Sequence, residues 1–465
     1  MIETSTRLKP LIREIYTDQI ESDVVIRLKK MWIGQFYFRF IRNIYFLNEL
    51  APKFFWNIYP IYKKYSFKFF NSSVNASRHR FPLIKLCDYI EKTGIPMVEA
   101  TQSERHTHVS ARTFPADSSS LTINSRNNLE SPSVYMAKVS DVIVRGGTNL
   151  VFTKDAVICH DFYSFKEDFT SEELHGRHQI NPKKNTITVF EGGDNYRIIS
   201  LPIAASFVDA CSSNYAHWLT EVLPRIAVFC SLSEYRGVPI IIDSLLHKNI
   251  ISTLNYVVGT DREIFTLSRG ASVKVDVLCM VSATGYIPFD WRKGGSKNPG
   301  DHSQGRFSSS SLKLVQEALS PYWESCKERA TPHKIYLRRD SAVRSVTNES
   351  EISEILFANG YVAVEPEKMT FLEQVILFAN AIEIVAPSGA ALANAIFCRP
   401  NTKICILMGR HKRMIYSYWL NMLHSFKLEI VYIFGDIDSN KSRGIHGNYS
   451  IDLNDLKNFL NMEAK

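Results

Sequence analysis

No two of the eight cysteines have the C-x-x-C spacing of a zinc or thiol-redox site; Cys87, Cys159, Cys211, Cys230, Cys279, Cys326, Cys398 and Cys405 are scattered among mostly apolar neighbours. Such scatter fits buried free thiols in a reducing compartment and argues against a disulfide framework. No apolar run is long enough to span a bilayer, because the most apolar stretch, residues 36–47, is short and is broken by Arg39 and Arg42. The opening residues, MIETSTRLKPLIREIY, have no apolar core of a signal peptide, so the expectation is a chain made and kept in the cytoplasm. The G-x-G-x-x-G dinucleotide fingerprint is also missing, which disfavours a redox enzyme built on a nicotinamide or flavin domain.

Acid is scarce in one region. Between Arg27 and Lys68 only Glu49 opposes Arg27, Lys29, Lys30, Arg39, Arg42, Lys53, Lys63, Lys64 and Lys68, and aromatics such as Trp32, Tyr37, Phe40, Trp56 and Tyr62 are interleaved. Residues 25–70 therefore suit an anionic membrane surface, where ammonium groups attract lipid phosphates and rings settle at the headgroups. They equally suit a helical hairpin that packs its aromatics on the rest of the protein. No nucleic acid is expected as a partner, because no recognised nucleic-acid module accompanies the patch.

What remains is ordinary globular material. A chain of 465 residues, 45% hydrophobic and 22% charged, with a net charge of +8, is long enough for two or three lobes with real cores. The pattern predicts an α/β protein. A helical, basic and aromatic extension with its linker occupies residues 1–115, and a polar stretch from Glu99 to Asn128 reads as a linker or surface loop. A small β-rich lead-in follows between Ser133 and Phe190, and strands then alternate with helices. That alternation implies two Rossmann-like lobes, 116–300 and 301–465, hinged near the Gly- and Ser-rich segment 290–310 and facing each other across a cleft.

Three constellations carry chemistry. In NYAHWLTEVLPR, read as a helix, His217, Glu221 and Arg225 recur at four-residue spacing on one face. A His oriented by a carboxylate one turn away is a general base near neutral pH, and the same spacing fits an ordinary solvated face. In YLRRD, arginines at a strand's carboxyl end can bond a diphosphate bidentately, or lie on the surface. In APSGAALANAIF, a strand ends at Ala386 and a helix begins at Gly389 or Ala390; small side chains there let phosphates reach backbone N–H groups, or simply permit tight packing. Two weaker motifs, Asp436-Ile437-Asp438 and His106-Thr107-His108, have the look of metal ligands without a supporting cluster, so no metal site is expected.

These blocks, in this order and separation, resemble glycosyltransferase family 61, the capsular polysaccharide biosynthesis type, as does the stretch VYMAKVSDVIVRGGTNLVFTKDAVICHD. The resemblance implies a GT-B-like fold and inverting transfer without an essential metal or other cofactor. It also implies a nucleotide-sugar donor, usually a UDP-sugar, and a glycan or lipid-linked acceptor in surface polysaccharide assembly, with the enzyme cytoplasmic or peripheral on the inner membrane face. On that analogy Arg338, Arg339, Glu365 and the turn residues Ser388, Gly389, Ala390, Ala391, Leu392 and Asn394 hold the donor. His217 and Glu221 are catalytic, and Asn214 and Arg225 lie on the acceptor side. Ser388 and Ala391 stand where many members have His and Gly, and a catalytically inactive relative that binds nucleotide-sugar or glycan as a scaffold is the alternative reading.

Overall fold

The computed structural model describes residues 12–15, 77–107, 111–121, 128–131, 133–163, 178–181, 183–191, 199–269, 271–287, 305–324, 331–339, 344–411, 416–437 and 447–461. The basic aromatic segment 25–70 lies outside the described residues, as does most of the expected hinge.

Among the described residues, twelve strands form one sheet in the amino-terminal half. Its parallel part runs Ile12–Ile15, Ile264–Leu267, Ile240–Asp243, Ile199–Ser206 and Ser272–Val281, in that spatial order. The apolar run of Ile240–Asp243 is buried throughout, as expected of a parallel strand covered on both faces. The lead-in strands are not a separate small sheet. Val134–Arg145 pairs antiparallel along Ser272–Val281, from Ser272 opposite Arg145 to Val281 opposite Met136, and so covers an edge that would otherwise expose its backbone. The linker expectation fails in the same way: Ser77–Lys85 and Met97–Thr101 join this sheet, while Arg112–Phe114 adds to the other one. Ile12–Ile15 is likewise a strand and not part of a helix.

The carboxyl-terminal half holds a seven-stranded sheet. Its parallel strands lie in the order Val362–Val364, Lys334–Leu337, Glu383–Pro387, Lys403–Arg410 and Glu429–Ile437. Numbered along the chain this is the doubly wound order 2-1-3-4-5, so the winding reverses between Lys334–Leu337 and Glu383–Pro387, where such sheets open a ligand crevice at their carboxyl ends. Between strands, Thr370 and Glu373 form a capping box ahead of Phe371–Asn380. The helix expected after Gly389 is present as the 3-10 helix Ala390–Phe397, and a helix at Ser417–Leu423 was not anticipated.

One apolar core runs through both halves. It includes Trp218, Val222 and Ile226 from one side, Phe371, Ile384 and Ile396 from the other, and Leu312, Val315 and Leu319 of the helix Ser309–Glu324 between them. Beside the expected hinge, Gly285–Tyr286 and Arg306–Phe307 pair with each other, and the two halves share packed side chains. No helix among the described residues is long and apolar enough to cross a membrane. Of the described cysteines, all free, Cys159, Cys279, Cys398 and Cys405 are buried but Cys87 is exposed.

Candidate active site

The strand Ile199–Ser206 delivers the chain to Asp209, and the crossover helix starts just beyond it. Asn214 caps that start, its side-chain oxygen accepting the Ala216 N–H at 3.0 Å, so this residue has a structural task at the helix end. The helix then departs from the α geometry that its spacing predicts. Tyr215–His217 is α-helical, Trp218–Val222 is a π-turn in which the Leu223 N–H donates to the Trp218 carbonyl, and Leu223–Ser231 is α-helical again. Pro224 explains the widening, since it has no N–H for the Thr220 carbonyl and its ring would clash there in a tight α-turn.

His217 and Glu221 lie inside this element, both buried, with Nδ1 of the imidazole 2.7 Å from the carboxylate. The polar stripe therefore does not look into open space, as expected from the sequence, but is enclosed. Burial raises the Glu221 pKa, and the neighbouring His217 and Arg225 oppose the rise. When the carboxylate is ionised it only accepts, and Nδ1 of His217 then carries the shared proton. Arg225 does not reach the Glu221 carboxylate. Its Nε–H donates to the Glu221 backbone carbonyl at 3.1 Å and its Nη2 to Asp209 at 3.0 Å. Asp243, at the end of its strand, accepts from the Gly147 and Asp209 amides, both at 2.8 Å, and fastens the neighbouring loops together.

The second half of the site lies at the winding reversal. Arg339 packs on the turn after Glu383–Pro387: its guanidinium donates to the Ser388 carbonyl, and a Cβ on Gly389 would come within 2.7 Å of Nη1. Desolvation and the nearby Arg344 lower its pKa. The Ser388 hydroxyl is already engaged by Trp419 Nε1–H at 3.2 Å and Tyr418 at 3.1 Å. Ala390 is exposed and Ala391 half-buried, so the helix start is open, whereas Leu392 is core. A small pocket of about 10 Å³, room for about one water, adjoins the turn, lined by Arg344, Ser388, Gly409 and Tyr449 among others. Arg344 Nε is buried there without a hydrogen-bond partner among the described residues.

Asn394 belongs to neither anion site nor solvent. It is fully buried; the Tyr215 hydroxyl donates to its Oδ1 at 2.6 Å and its Nδ2 donates to Gln374 at 2.8 Å. Gln374 in turn donates to the Pro366 carbonyl at 2.8 Å. The first and third sequence constellations thus touch, and the carboxyl edges of the two sheets meet at this bond. Arg338 stays outside: it is exposed and paired with Glu349 at 2.8 Å. Glu365 pairs with Lys368, whose hydrogen bond lowers its pKa. Asp436 is held by Arg410 at 2.6 Å, and among the described residues no cluster of three metal-ligating side chains occurs. Tyr215, Gln374, Asp209 and Arg344 were not singled out from the sequence, although Arg344 stands only five residues beyond Arg339.

A buried imidazole–carboxylate pair and a guanidinium against a glycine turn, gathered where the carboxyl ends of two sheets meet, define an α/β enzyme. Residues 215–405 match the family model described as Glycosyltransferase 61; the chain carries a domain of this family and is a glycosyltransferase. The match begins at Tyr215, so it contains the catalytic-helix candidate and the turn but not the lead-in. No curated protein matches the chain.

Proposed function

We propose that the protein is an inverting, metal-independent glycosyltransferase of GT-B type that moves a sugar from a nucleotide-sugar, a UDP-sugar in the first instance, to a hydroxyl of a glycan or lipid-linked acceptor in surface polysaccharide synthesis. The observation that carries this reading is the buried His217–Glu221 pair, tied through Tyr215 and Asn394 to the turn where Arg339 and Arg344 lie. In the proposed step the acceptor oxygen attacks the anomeric carbon from the face opposite the nucleotide. The bond to the diphosphate oxygen breaks, and the acceptor proton passes to His217 Nε2. Arg339 and Arg344 neutralise the charge that collects on the departing diphosphate. Glu221 holds the imidazole in the basic tautomer and balances its charge once protonated. A cytoplasmic enzyme docked on the inner membrane face by residues 25–70 fits this chemistry.

Thermal midpoints against UDP, GDP, CMP and their sugar conjugates, with EDTA and with magnesium, test the donor half. The expected result is a metal-independent rise confined to one base. Arg344→Ala should weaken nucleotide binding about 10- to 100-fold, the worth of a charge-assisted bond. His217→Ala should leave binding intact and slow transfer about 10²- to 10⁴-fold. Parental transfer by both variants refutes the site.

A further inference from the structure

We propose that His160 is a fixed hydrogen-bond donor to one hydroxyl of the acceptor sugar, opposite in polarity to the His217 base; this rests on the functional reading above. His160 follows the strand Val157–Cys159, in the lead-in that the family match does not include. Its ring stacks on Tyr163 with centroids 3.6 Å apart and meets the edge of Tyr286 at 4.7 Å, so its orientation is set.

The tautomer is set as well. The Phe162 backbone N–H donates to Nδ1 at 3.2 Å, which occupies that lone pair and leaves the proton of the neutral ring on Nε2. Desolvation, with Arg225 and Lys85 nearby, pushes the ring's pKa well below that of an ordinary imidazole, so it stays neutral. Among the described residues no protein atom bonds Nε2, and part of the ring is open to solvent. His160 therefore offers an N–H and no lone pair at Nε2, opposite to the base role proposed for His217.

Two chains of contacts link this donor to the element that carries His217 and Glu221. Tyr286 adjoins Gly285, where a Cβ would lie 2.6 Å from the Thr220 carbonyl of the π-turn. The Tyr163 hydroxyl donates to Asn149 at 3.1 Å, Asn149 donates to Asp209 at 3.3 Å, and Asp209 receives Arg225, which also holds the Glu221 carbonyl. The acceptor needs its attacking oxygen at the base and a second hydroxyl held to orient it, and a neutral donor does this without competing for the proton.

The test compares the full chain with His160→Phe, which keeps the stacked ring and loses the donor, and His160→Gln, which restores an N–H. Each is assayed with UDP-sugars, the methyl glycosides that the parent accepts, and their monodeoxy analogues. The parent should lose about tenfold in kcat/KM when one particular hydroxyl is deleted. His160→Phe should lose about tenfold on the intact glycoside and be indifferent to that deletion, with unchanged nucleotide binding and thermal midpoint. His160→Gln should recover most of the rate. The proposal is overturned if His160→Phe keeps the parent's rate, if it keeps its discrimination at every hydroxyl, or if both variants lose rate and stability alike. His217→Ala run alongside separates the two readings: loss there without loss in His160→Phe sinks only this inference, and loss in neither sinks the site.

Discussion

Asp243 shows how strongly one residue can set pH dependence. It is buried among amide donors, and desolvation raises its pKa from 3.8 to about 6. Between about pH 4 and 6 the folded state holds a proton that the unfolded state has released, so stability falls as pH rises through that window, by about 3 kcal/mol. Asp243→Asn removes that slope, and urea midpoints of both proteins at pH 4, 5, 6 and 7 would show it; equal slopes would refute the assignment. Gly389→Ala should displace Arg339, since the new methyl has no room against Nη1. Nucleotide affinity should drop while the midpoint changes little, because the backbone there is extended and any residue can adopt it. At this scale the sequence was partly legible. His217 and Glu221 announce themselves by spacing, a local relation. Tyr215 and Asn394 are 179 residues apart, and no spacing around His160 marks it as a donor, so only the fold could reveal their contacts.

The π-turn Trp218–Val222 is the element on which the base depends. Pro224→Ala would return an N–H to the Thr220 carbonyl and favour a regular α-helix, in which Ala is preferred by about 3 kcal/mol over Pro. The expected variant is as stable as the parent or more so, yet transfers at least about tenfold more slowly because His217 and Glu221 are rotated relative to Tyr286 and Arg225. Parental kinetics with a raised midpoint would show that the turn matters only to packing. A π-turn is invisible in the spacing, since i and i+4 residues look alike in both helices. The alternating strands and helices of the carboxyl-terminal half were legible because each strand is a short apolar run between turn signals. The strand Ser77–Lys85, SRHRFPLIK, was not: it is rich in charge, and its role depends on partners as distant as Glu191, opposite Ser77.

For the molecule as a whole, the bond between Tyr215 and Asn394 is a brace across the two sheets. Tyr215→Phe leaves the Asn394 oxygen buried without its donor and should cost about 1–3 kcal/mol in global stability. Unfolding should remain a single transition by fluorescence and circular dichroism, because the apolar core joins both halves; two separated transitions would contradict that continuity. The helix Ser309–Glu324 contributes to this core just after Arg306–Phe307, which pairs with Gly285–Tyr286. Chimeras between relatives that are cut in the glycine-rich segment 290–310 would transplant Leu312, Val315 and Leu319 away from the surfaces they cover, and should aggregate. Donor and acceptor preference in such a chain are not cassettes to be recombined; they are inherited, and must be engineered, together.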